Sequence, residues 1–160
     1  MIYINTLKQT LRSEQTLQNK TKIIYYHALI QLNPTLPDPH FQLGKLLAKQ
    51  KDWPAAIACY ENAITHNHPE PWKVYYCLGT ILRKSRRFEL AISAYQNSVA
   101  INPEFFSSYQ ELAQSALQLS KWDMVIISCK NAIQLDPNIF WVHYYLGQAL
   151  LKKKHWEEAI

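Results

Sequence analysis

Seven residue columns recur along this chain at intervals of 34 or 35 residues, and that periodicity limits the fold more than any other feature. Gly44, Gly79, Ala113 and Gly147 form one column, and each follows a leucine, at Leu43, Leu78, Leu112 and Leu146. Three residues before each leucine stands His40, Tyr75, Tyr109 or His143. Twelve residues after the glycine column comes Ala56, Ala91, Val125 or Ala159, followed four later by Tyr60, Tyr95 or Cys129. An aromatic precedes that alanine column by three, at Trp53, Phe88, Trp122 and Trp156, and Pro34, Pro69, Pro103 and Pro137 close the periods. A tandem unit this short cannot bury its apolar face alone, so neighbouring units must stack.

Inside each period the apolar residues return at helical spacing, in FQLGKLLAKQ and YYCLGTILRKS, then again in AAIACYENAI and ELAISAYQNSVAI. The expected unit is a pair of helices of roughly 12–14 residues each. Each proline falls past the second helix and stops it, because it lacks the amide donor and clashes with the preceding turn. Asp52-Trp53-Pro54 offers an N-cap with proline in the first turn. Gly44 facing Ala56, Gly79 facing Ala91 and Gly147 facing Ala159 would let the paired axes approach closely. The third repeat departs, with Ala113 for glycine, Val125 for alanine, Ala116 for the leucine of Leu47 and Leu82, and Cys129 for the aromatic. Bulk gained at Val125 is lost at Ala116 and Cys129, which reads as repacking at similar volume. With three glycines against eight prolines, the composition also favours helix, and the expected class is all-α.

These columns resemble the W-x2-L-G-x2-Y, A-x3-F and closing proline of the tetratricopeptide repeat (TPR) family. Pentatricopeptide proteins share a period near 35, but the glycine, alanine and proline columns are those of the TPR. The resemblance covers residues 37–71, 72–105 and 106–139, plus an incomplete fourth repeat at 140–160. Residues 1–36 are expected to be a degenerate or capping helix pair, since HALIQLNP reads like the end of a repeat but lacks the upstream glycine and small-residue columns. What the resemblance implies is a right-handed superhelical α-solenoid whose concave wall is made mostly by the first helix of each pair.

Other classes lose ground on the same sequence. No stretch approaches the roughly 18 apolar residues of a membrane span, and the first residues carry no apolar run before a cleavage site, so the default compartment is the cytoplasm. Cys59, Cys77 and Cys129 are too few and scattered for a disulfide framework or a zinc site, and read as buried thiols. No glycine-rich phosphate loop or nucleophile signature occurs, so no enzyme, cofactor or catalytic residue is expected. His40 and His143 occupy a repeat column and read as packing residues. His66-Asn67-His68 with Glu70 has no further ligand to complete a metal site.

The net charge of +5 allows an anionic partner. Ten of the 17 basic residues, Lys49, Lys51, Arg83, Lys84, Arg86, Arg87, Lys121, Lys152, Lys153 and Lys154, fall in the turns within repeats, while Asp38, Glu70, Glu104 and Asp136 mark the turns between them. Helix electrostatics explains this polarity, with acids at helix starts and bases at ends. The competing reading is a basic ridge that docks an acidic protein surface, a lipid head group or RNA. Nothing in the sequence pairs that ridge with exposed stacking aromatics, so no nucleic acid is expected.

By helical spacing, the residues pointing away from the partner helix are Phe41 and Lys45, Tyr76 and Thr80, Gln110 and Gln114, Tyr144 and Gln148, with Lys49 and Arg83 further along the same faces. These are the expected peptide- or protein-binding residues: rings take side chains, while amides and cations bond backbone and carboxylates. In TPR proteins that capture acidic chaperone tails, a Lys/Asn/Asn/Lys/Arg clamp would fall at Phe41, Lys45, Cys77, Ser107 and Glu111, and here it is absent. The asparagine ladder of the O-GlcNAc transferase superhelix would fall at Gln42, Cys77, Glu111 and Tyr145 and is absent too. The resemblance therefore implies a non-enzymatic interaction scaffold that binds a peptide or protein segment, an acidic one included. Alternatively, NPEFFSSYQELAQSALQLSKWD and DPNIFWVHYYLGQALLKKKHWEEAI are similar to bacterial, particularly cyanobacterial, TPR arms of glycosyl-, sulfo- or methyltransferases, with catalysis outside these residues.

Trp156, Ala159 and Ile160 share the register of Trp53, Ala56 and Ile57, so a second helix is expected to begin there and to stop after about one turn. The repeat array is then incomplete. Fraying after about residue 152, or self-association through an uncovered apolar face around Leu146, Gly147 and Leu150, is expected from that.

Overall fold

Each apolar stretch becomes a helix. The computed structural model describes the backbone of residues 2–158 and the side chains of residues 16–154. Among the described residues there are eight helices and no strand: α1 (Ile2–Leu32), α2 (Pro37–Lys49), α3 (Trp53–Thr65), α4 (Pro71–Lys84), α5 (Phe88–Ile101), α6 (Phe106–Gln118), α7 (Trp122–Leu135) and α8 (Phe140–Glu158). They form two compact units, Met1–His68 with α1 to α3 and Pro69–Ile160 with α4 to α8.

Helices α2 to α7 are 13 or 14 residues long and form three helix–turn–helix pairs, α2/α3, α4/α5 and α6/α7. Proline in the first turn opens α2, α3 and α4, where its missing amide is not needed, and Asp52 caps α3 by accepting the Ala55 amide at 3.3 Å. One device closes the turn inside each pair. Lys51, Arg86 and Ser120 hold φ of 65°, 60° and 54°, and the amide after each returns to the carbonyl five residues back, at 3.0, 2.8 and 3.0 Å. This is the left-handed helix end that glycine usually occupies, adopted here by side-chain-bearing residues at a strain of roughly 1–2 kcal/mol each.

Within the pairs, Leu43, Ala56, Tyr60, Leu78, Ala91, Tyr95, Leu112, Ala113, Val125 and Cys129 are buried, so the repeat columns are the core. Burial pushes the Cys129 thiol up to about 11; at Cys59, burial and then the Asp52 carboxylate do the same. The glycines meet a different neighbour from the one expected. The atoms nearest to where a side chain would start at Gly44 belong to Tyr60 and Cys59, and at Gly79 to Tyr95, not to Ala56 or Ala91. A buried hydroxyl node joins α4, α5 and α6: Ser98 Oγ donates to the Trp72 carbonyl at 2.9 Å and lies 2.7 Å from Ser108 Oγ.

Two expectations fail. Residues 1–36 do not form a helix pair: α1 runs from Ile2 to Leu32 as one helix and stops before Asn33-Pro34. Nor does a turn follow Lys152. The residue in register with Lys51, Arg86 and Ser120 is Lys154, and there the chain stays helical to Glu158. In the pairs, packing of a second helix offsets the strained turn; α8 has no such helix after it among the described residues. Past residue 152, where the repeat register predicts fraying, the backbone stays helical to Glu158, while the Trp156 side chain, Ala159 and Ile160 lie outside the described residues.

Candidate functional site: a groove along α4, α6 and α8

The three first helices of the second unit lie side by side, α4 touching α6 and α6 touching α8, with α5 and α7 packed behind them. Between them opens a cavity of about 920 Å³. Arg83, Lys84 and Arg86 come to it from the end of α4 and its turn. Phe88 and Trp122 come from the starts of α5 and α7, Gln114, Leu117 and Gln118 from α6, and Tyr144, Tyr145, Gln148, Leu151 and Lys152 from α8. These are successive turns of single helix faces, which is why residues distant in sequence share one wall.

Four of the ten expected residues meet in this groove: Arg83, Gln114, Tyr144 and Gln148. Tyr144 is 52% exposed, and its hydroxyl accepts from Gln148 Nε2 at 2.9 Å, which fixes the ring. Tyr76, Thr80 and Gln110 do not line it. The Tyr76 ring stands edge-on to Phe105 at 5.0 Å, and Thr80 Oγ1 donates to the Tyr76 carbonyl at 2.9 Å. Burial, then the Glu111 carboxylate, raises the Tyr76 hydroxyl above its usual value.

Phe41, Lys45 and Lys49 belong to the first unit. Phe41 is not a groove residue but core: it is only 7% exposed and packs edge-on against His68 at 4.8 Å. Helical spacing pointed it outward; His68, folded back from the end of α3, covers it. Lys45 Nζ sits 4.9 Å over the Phe41 ring, a cation–π contact, while Lys49 is exposed in the last turn of α2.

Beneath the groove lies a partly buried polar cluster. Arg83 Nε is 2.7 Å from Glu111 Oε2, and the buried Tyr95 hydroxyl points at Thr80 Oγ1 and Glu111 Oε2, at 3.4 and 3.5 Å. Burial opposes the Arg83 charge, but the Glu111 carboxylate and Tyr95 outweigh it, so the guanidinium is held more firmly protonated than usual. Two further lysines are neutralised along the same edge, Lys121 by Glu89 at 2.5 Å and Lys153 by Asp123 at 2.7 Å.

The sequence assigned Phe88 and Trp122 to a packing column and passed over Tyr145. All three are half-buried and line the groove beside the cations, so the basic turn does have aromatic company. The missed signal is position: that column starts the second helix, next to the turn that carries the bases. The histidine column is local scaffolding. His40 and His143 bring Nε2 to the carbonyls of Pro34 and Pro137, each at 2.8 Å, tying the first helix to the proline six residues before it. His66 stacks on His40 at 5.7 Å, and His68 Nε2 lies 3.9 Å from Asp38.

Comparisons with known proteins agree with this architecture. Tetratricopeptide repeat family profiles match residues 41–104 and 128–160. No curated protein matches the sequence. Among solved structures, MamA superimposes with a TM-score of 0.78 at 19% identity, over 89% of this chain and 83% of that one. YrrB, described as a TPR protein with an unusual peptide-binding site, gives 0.78 at 18% over 92% and 75%. The first TPR of Spaghetti (RPAP3), bound to an HSP90 peptide, gives 0.65 at 19% over 74% and 93%. With the repeat columns forming the cores of the helix pairs and two profiles of the family matching along the chain, this chain belongs to the tetratricopeptide repeat family and folds as an all-α TPR solenoid.

Proposed function

We propose that this chain is a non-enzymatic interaction module that holds a peptide or protein segment in the groove of α4, α6 and α8. The observation that carries the reading is the convergence of Arg83, Gln114, Tyr144 and Gln148 with Trp122 and Tyr145 on one open cavity. Side-chain amides and cations spaced between aromatic rings supply both halves of peptide recognition, polar bonds to the backbone and apolar seats for side chains. Structural neighbours that hold peptides, among them the RPAP3 domain, support the same use of this fold. Among the described residues, no helix is long and apolar enough to cross a membrane.

Placing a photo-cross-linking residue at Gln114 or Gln148, and as a control at exposed Lys130 on α7, tests this in extract of the source cells. Discrete adducts from the groove positions alone are expected. Equal adducts from Lys130, or none from the groove, would contradict it.

A further inference from the structure

We infer that the groove is selective for an acidic peptide segment in which Asp or Glu residues flank an aromatic or large aliphatic one. This specificity rests on the groove reading above and adds a ligand chemistry to it.

The argument starts from the charges. Four lining residues, Arg83, Lys84, Arg86 and Lys152, are cationic and none is acidic. Arg83 is matched internally by Glu111, but Lys84, Arg86 and Lys152 form no ion pair among the described residues. Helix electrostatics accounts for a base at the end of a first helix. It does not account for bases crowding the end of α4 while Lys121 and Lys153, on the same edge, have carboxylates of their own. Three unneutralised cations around a low-dielectric concave wall focus a positive potential into the cavity and favour carboxylates there.

Rings supply the second half. Phe88, Trp122, Tyr144 and Tyr145 border the same space, so a carboxylate held by Lys84 or Arg86 places its neighbour against an aromatic face. Gln114 and Gln118 offer amides to the intervening backbone. A nucleic acid fits less well. Its affinity grows with the number of phosphates neutralised, typically about six to ten for strong binding, and only three cations here are unspent.

Display selection of random 12-residue peptides on the purified chain tests the inference. Selected peptides should be enriched in Asp and Glu beside Trp, Phe or Leu. Their affinity should fall about tenfold in the Lys84→Glu/Arg86→Glu variant and decline with added salt. Both residues are exposed, so the fold should persist; if the double reversal does not fold, Lys84→Gln/Arg86→Gln carries the same comparison. Neutral or basic peptides that lose binding in Tyr144→Ala but not in the charge variants would overturn the acidic specificity and leave the groove standing. Peptides indifferent to Tyr144 and to the charges would overturn both. A 20-residue oligodeoxythymidine that displaces a selected peptide more effectively than the free peptide would overturn the assignment to a peptide.

Discussion

Gly79 lies directly against Tyr95: a methyl group on the glycine would stand 2.7 Å from ring carbon Cε1, well inside van der Waals contact. Gly44 has the same relation to Tyr60, also at 2.7 Å, and both rings are buried. The glycine column is therefore a seat for the aromatic of the second helix. Where the third repeat has Ala113, the aromatic is replaced by Cys129, so the added methyl is matched by a lost ring. Among the described residues, Gly147 has no such neighbour within 4 Å.

Substituting alanine in this column should therefore have opposite effects at two positions. Gly79→Ala must displace a wedged ring and should cost roughly 1–3 kcal/mol. Gly147→Ala meets open space and should stabilise α8 by up to about 1 kcal/mol, from helix propensity alone. Thermal melts decide, and the same sign for both would refute the seat.

The repeat columns made the helix pairs, their lengths and most of the core legible, because the leucine, alanine and Tyr60/Tyr95/Cys129 columns are repeated burial constraints while the exposed prolines mark where helices stop. Partner identity inside a pair was not: spacing matched Gly79 to Ala91, whereas side-chain reach brings Tyr95 onto it. The single helix α1 and the uninterrupted α8 escaped because repeat logic predicts a turn at every period, whereas the described backbone runs helical through 2–32 and 140–158. Of the thirteen residues that line the groove, four were readable from outward-facing positions: Arg83 on α4, Gln114 on α6, and Tyr144 and Gln148 on α8. Phe41 misled because its cover, His68, comes from the turn after α3, where Tyr60 to Pro69 is one residue longer than Tyr95 to Pro103 or Cys129 to Pro137.

Phe41 and Tyr144, expected as equivalents, should separate in stability measurements. Phe41→Ala empties a core position and should cost roughly 3–5 kcal/mol. Tyr144→Ala removes a half-exposed ring and should cost less than about 0.5 kcal/mol, while weakening any groove ligand. Similar losses in chemical denaturation would contradict this assignment.

Arg86 and Ser120 hold the same left-handed conformation, φ 60° and 54°, but only Arg86 lines the groove. Glycine at either position should relieve strain and stabilise the fold by a few tenths to about 1 kcal/mol. Arg86→Gly should then be more stable and yet bind an acidic peptide more weakly, whereas Ser120→Gly should be more stable with binding unchanged. Denaturation midpoints with peptide titrations on both variants check the split.

Alkaline pH should destabilise the chain from about pH 9. The folded Cys59 and Cys129 thiols are pushed up to about 11, above an unfolded thiol, so the unfolded state loses its protons first. Their contribution is fully present below the unfolded value and is lost as pH rises toward 11. Burial raises the Tyr95 hydroxyl in the same sense, from a higher starting point. Urea titrations at pH 8, 9.5 and 10.5 should show falling stability, with a later onset in Cys59→Ala/Cys129→Ala. An unchanged onset would show that the thiols are not responsible.

Binding in the groove of α4, α6 and α8 is tested most directly by amide chemical-shift mapping of the labelled chain with a selected peptide. The account predicts perturbations concentrated at Arg83 to Arg86, Gln114 to Gln118 and Tyr144 to Lys152, with the outer faces of α5 and α7 unchanged around Gln96 and Lys130. Perturbations centred on those outer faces, with the groove residues silent, would contradict it.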